Sequence, residues 1–73
     1  MSTFEKLVAV SRPYLGPATE QFLKRQCLVY LGTEGDRLVQ SQVAELSKGI
    51  QIAATRVMDE SKAAELASKV ARA

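Results

Sequence analysis

The chain has no histidine, no tryptophan and one cysteine. Without histidine, the side chain that most often serves as general base or metal ligand near neutral pH is missing. A single cysteine closes no internal disulfide and builds no multi-cysteine zinc site. Aromatic residues are limited to two Phe and two Tyr, so Ala, Leu and Val must fill most of an interior, which suits closely packed helices. Neither sign of charge dominates: ten basic and eight acidic residues interleave to a formal net charge of +2. The densest basic cluster is Lys24-Arg25, and neither the basic stripe of a nucleic-acid binder nor a charged tail is seen. Long hydrophobic runs are also lacking. Leu7-Val8-Ala9-Val10 and Cys27–Leu31 fall far short of the roughly 20 residues a bilayer span needs, and the opening residues do not read as a secretory signal. The expected location is a reducing cytoplasm, with no membrane insertion.

What is present is a strongly helical pattern in 73 residues, 47% of them apolar, a length that fits one small domain over residues 1–73. Ser2 and Glu5 have the spacing of a capping box, which starts a helix at about residue 3. Phe4, Leu7 and Val8 share one face, and Pro13 is expected to stop this helix near Arg12, since proline lacks the N–H the ladder needs. Tyr14-Leu15-Gly16-Pro17 reads as a turn, with Pro17 at the first position of a second helix. That helix is expected over 17–31, closed by Gly32 in the left-handed conformation. Its apolar residues cover more than half the circumference, which predicts neighbours on several sides. A short helical turn near 36–39 should tuck Leu38 and Val39 into the core.

Ser41 is the expected cap of a third helix over 41–58. There Val43, Leu46, Ile50, Ala53 and Val57 recur at alternating intervals of three and four, the cleanest periodicity in the chain. Gly49 inside it costs about 1 kcal/mol relative to Ala, which close approach of another helix would offset. Asp59 caps a fourth helix over 60–72. Its expected buried face is Leu66, Ala67 and Val70 flanked by Ala63, Ala64 and Ala71, with Lys62, Glu65, Lys69 and Arg72 opposite. The fold class is therefore all-α, a compact bundle of four main helices with the second and third at its centre.

Little in the sequence suggests catalysis. Cys27 lies on the arc of Leu23 and Leu31, without the histidine that would activate a thiol, and reads as a small core residue. Asp59-Glu60 and Glu34-Gly35-Asp36 match no cation-binding loop. Gly32-Thr33-Glu34-Gly35 lacks the Lys-Ser/Thr ending and the preceding strand of a phosphate loop. No catalytic residue, cofactor, metal ligand or small-molecule substrate is expected, and the chain does not read as an enzyme.

Gln40-Ser41-Gln42-Val43-Ala44-Glu45-Leu46 looks like the opening of a helix-turn-helix. That motif wants its turn glycine five residues after the first apolar position, whereas Gly49 comes six after Val43 and is preceded by Lys48. DNA binding through the third helix, with Lys48 and Arg56 as its first residues, is the alternative reading. Apolar residues on the wrong side of their helices point elsewhere. Ile52 lies among Glu45, Lys48 and Arg56, Leu28 at the edge of its arc, and Val10 off the Phe4 face. With Tyr14 and Tyr30, whose rings are apolar and tips polar, these residues suggest a patch for a partner protein or a second copy of the chain. The candidate partner-binding residues are Val10, Leu28, Tyr30 and Ile52.

From Phe22-Leu23-Lys24-Arg25-Gln26-Cys27 through Tyr30-Leu31-Gly32, Val43-Ala44-Glu45-Leu46 and Lys62-Ala63-Ala64-Glu65-Leu66, about two-thirds of the chain resembles small helical modules of bacterial proteins, found alone or beside signalling domains. The resemblance rests on apolar spacing. It implies a regulatory or adaptor role and supplies no catalytic residues. The death-fold assembly domains are similar in being small helical bundles that dock by their surfaces, but they have six helices where this sequence predicts four and a short turn. The expected function is a non-catalytic protein–protein interaction module, with homodimerisation as one form of it.

Overall fold

The computed structural model describes residues 2–73, and every regular element among them is helical. Helix α1 (Thr3–Leu15) begins at the expected capping box. Ser2 Oγ accepts from the Glu5 N–H at 3.1 Å, while Glu5 Oε1 accepts from the Ser2 N–H at 2.9 Å. The bond from the Ser2 backbone, helped by that from its side chain, holds the Glu5 carboxyl below its ordinary pKa. Pro13 does not stop α1 at Arg12, because the helix runs through it to Leu15. Its missing N–H removes the ladder bond to the Ala9 carbonyl, on a stretch of the helix where Ala9, Arg12 and Pro13 are exposed. Gly16, at φ +60°, ends the helix and donates its N–H to the Arg12 carbonyl.

The second helical stretch, expected as one regular helix over 17–31, is composite. A 3-10 turn at Gly16–Ala18 holds Pro17 in its first turn and leads into α2 (Thr19–Gln26). Buried Thr19 satisfies its hydroxyl on the Gly16 carbonyl at 2.6 Å. From Cys27 to Leu31 the chain widens into a π turn. Gly32 closes it in the left-handed conformation, as expected, at φ +65° and ψ +28°. The closing bonds fit the wider turn: Gly32 N–H donates to the Leu28 carbonyl and Thr33 N–H to that of Cys27, both at 3.1 Å. Each spans one residue more than the corresponding bond of a Schellman closure.

The expected turn near 36–39 is a 3-10 turn at Gly35–Arg37. Leu38 is buried behind it, but Val39 is exposed rather than tucked in. Gly35 is buried beneath the Phe4 ring. Ser41 does not cap the third helix, because a 3-10 turn at Gln40–Gln42 precedes it. There the Val39 N–H donates to Gln42 Oε1 at 3.1 Å.

Helix α3 (Val43–Ala54) runs unbroken through Gly49 and ends short of the expected 58. The Val57 and Met58 N–H groups both donate to the Ala54 carbonyl at 3.0 Å, which tightens the chain out of α-helical register. Val57 is consequently thrown outward and 66% exposed, while Met58 packs against the core. Asp59 then caps α4 (Glu60–Arg72), accepting from the Lys62 N–H at 2.8 Å. Ala63, Leu66, Ala67 and Val70 are buried as expected, whereas Ala64 and Ala71 are exposed.

The largest helix–helix seam joins α3 to α4, with α1 packed on α4 and on α2. The centre is thus not the α2–α3 pair the apolar breadth of residues 17–31 suggested. The π turn spends part of that breadth on the surface. Leu7, Leu23, Leu46, Ile50, Leu66 and Val70 make the dry interior. The Cα radius of gyration of 10.6 Å is close to the ~11 Å of a compact chain of this length. The Ser11 hydroxyl is fully buried and makes no hydrogen bond to another group of the described residues.

Candidate functional site

The π turn positions the most distinctive surface of the molecule. Five consecutive apolar residues, Cys27–Leu31, cannot all face inward from one helix. Cys27 takes the interior place and is fully buried, and burial pushes its thiol pKa up. That environment keeps the thiol protonated and inert, as its apolar arc suggested. Val29 and Tyr30 face outward, 71% and 41% exposed.

Opposite them stands α3. Tyr30 lays its ring over Gly49 so closely that a Cβ there would lie 2.7 Å from Cγ and Cδ1 of the ring. The glycine in mid-helix is thus offset by a close approach, as expected, but by an aromatic ring rather than a helix backbone. One turn on from Gly49, Ile52 is 64% exposed. Val29, Tyr30, Gly49 and Ile52 line one shallow groove of about 240 Å³ between the π turn and α3, flanked by Arg25 and Arg56. No carboxylate lines it.

Of the four residues expected to bind a partner, the structure brings two together, Tyr30 and Ile52. Leu28 is exposed but turned to the other side of the π turn, where it lines a depression with Phe4, Gly35, Lys24, Glu34 and Asp36. Val10 is half-buried and packs against the core. Tyr14 is engaged within the fold: its hydroxyl donates to Glu65 Oε2 and its ring lies under Lys69 Nζ, 5.4 Å from the centroid. Of the two residues named for DNA, Arg56 flanks the groove. Lys48 lies across Ile52 in the furrow between α3 and α4, alongside Glu60.

Val29 and Arg25 also line the groove; the sequence marks Arg25 only as part of its densest basic cluster and Val29 only as one of the apolar residues of the second helix. Val29 belongs to the broad apolar set of residues 18–31, but it stands two residues on from buried Cys27 and so faces away from it. The available signal was the unbroken run of five apolar residues before Gly32, more than one helix face can bury.

Among the described residues, no group of three or more His, Cys, Asp or Glu side chains is placed to hold a metal ion, and no helix is long and apolar enough to cross a membrane. Comparison of the chain with family models, curated proteins and solved structures finds no match in any of the three.

Proposed function

We propose that the chain is a non-catalytic protein-interaction module of the adaptor or regulatory kind, a compact bundle of four main helices acting in the cytoplasm. It binds by burying the Val29–Tyr30–Ile52 surface. The observation that carries this reading is the convergence of three large, exposed apolar side chains from two separate elements onto one groove. Single exposed aliphatics are ordinary on a small protein, whereas a contiguous apolar strip rimmed by charge is the usual build of a docking site. Leu28 and Val10 drop out of the patch, and Val29 enters it.

The test uses Ile52, which stands clear of the core. Ile52→Asp should change unfolding stability by no more than about 0.5 kcal/mol and leave the helical circular dichroism intact. A photo-crosslinking residue at position 52, introduced in living cells, should yield protein adducts that the same residue at exposed Ala71 does not. Loss of fold in Ile52→Asp, or equal labelling from both positions, would remove the reading.

A further inference from the structure

We infer that the groove between the π turn and α3 takes an acidic amphipathic helix of a partner protein, one that seats an apolar side chain between Tyr30 and Ile52 and sets carboxylates against Arg25 and Arg56. This rests on the docking role proposed above and specifies its partner. The groove floor is apolar, and its charged residues are two exposed arginines, with no acidic residue among those that line it. Arginine forks suit carboxylates because they bind them through two parallel N–H bonds. The groove is walled by the π turn on one side and α3 on the other, a setting in which a third helix lays its ridge.

The other occupants fit less well. At about 240 Å³, the groove lies below the range that encloses a drug-sized ligand, but it has room for a side chain. A second copy pairing groove to groove would set Arg25 and Arg56 against their own counterparts. Such like-charge contact across an interface is unfavourable, and the groove carries no acid to relieve it. Duplex DNA would leave Val29 and Ile52 against phosphate, and two arginines neutralise few phosphates. Beyond Ile52 the adjoining furrow carries Lys48 together with Glu60, one charge of each sign.

The experiment titrates the full isotope-labelled chain with two capped helical peptides about four turns long. Both carry leucine at helical spacing along one face, flanked by glutamate in one peptide and by lysine in the other. The glutamate peptide is expected to shift the amide resonances of Val29, Tyr30, Ile52 and Ala53, and to bind at least about tenfold more tightly than the lysine peptide. The double variants Arg25→Glu/Arg56→Glu and Arg25→Gln/Arg56→Gln should each weaken it, the reversal more. Equal binding of the two peptides would overturn the acidic assignment while leaving the docking role intact. Shifts at the same residues on dilution of the protein alone, or on addition of duplex DNA in place of peptide, would overturn it in favour of self-association or nucleic acid. If the glutamate peptide leaves the groove unshifted, the inference fails. The docking role fails with it only if position 52 also gives no crosslinks.

Discussion

A glycine inside a helix costs about 1 kcal/mol relative to alanine, so Gly49→Ala would ordinarily stabilise α3. Here the added methyl would meet Tyr30 at Cγ and Cδ1, the part of the ring closest to its own backbone, at 2.7 Å. The ring cannot swing its far end aside to relieve that contact and must leave the helix surface. Overpacking of this sort costs about 1–3 kcal/mol, so Gly49→Ala should destabilise the wild-type chain by about 1 kcal/mol in urea unfolding. In a Tyr30→Ala background the obstacle is gone, and the same substitution should stabilise by about 0.5–1 kcal/mol. A cycle without that reversal of sign would show that the ring is not seated on the glycine. Because Tyr30 also lines the groove, Gly49→Ala should reshape the groove while leaving Val29 and Ile52 in place.

Between elements, the hydroxyl of Tyr14 on α1 donates to Glu65 on α4, beside the contact of Lys69 with the same ring. The tyrosine hydroxyl, aided by the nearby Lys62 charge, holds the Glu65 carboxyl below its ordinary pKa. A depressed folded-state pKa means that the contribution is present above the ordinary carboxylate value and is lost as pH falls through the folded one. Acid should therefore loosen α1 from α4. In a carboxyl-carbon NMR titration, Glu65 should titrate below the free-carboxylate value, and Tyr14→Phe should move it upward. A Glu65 midpoint that ignores Tyr14→Phe would show that the bond does not persist in solution. The sequence already contained what fixes the starts of α1 and α4. The Ser2–Glu5 box and the Asp59 cap are local hydrogen bonds between near neighbours, and local chemistry is readable. The Val43–Leu46–Ile50 stripe was readable for the same reason. Helix ends depend on the chain beyond them and on its packing. Helix α1 continues through Pro13 to Leu15, and Val57 lies beyond a turn tightened on Ala54. The groove was half legible: Ile52 broke the α3 pattern openly, and Val29, two residues on from buried Cys27, faces away from it at helical spacing, but the meeting of the two across one groove depends on how the π turn packs against α3.

At the scale of the molecule, 73 residues enclose a core whose largest fully buried side chains are a few leucines, an isoleucine and two valines. A core of this size rarely supplies more than about 3–5 kcal/mol of net stability. Leu66 is fully enclosed at the α3–α4 seam, and truncating a buried leucine costs about 2–5 kcal/mol. Leu66→Ala should therefore leave a large fraction of the chain unfolded at room temperature, seen as a lost or broadened thermal transition in far-ultraviolet circular dichroism. A sharp melt near the wild-type temperature would show that the interior has reserves its size does not suggest.

The wide turn at Cys27–Leu31 also makes the makeup of the groove a matter of phase. Which side chains look toward Arg25 and which toward Phe4 depends on how many residues are wound between Gln26 and Gly32. Dropping or adding one there would rotate Val29 and Leu28 relative to both neighbours while leaving the composition nearly untouched. A lineage could then exchange the cationic groove for the depression beside Glu34 and Asp36 through a single codon gained or lost, with no new side-chain type required.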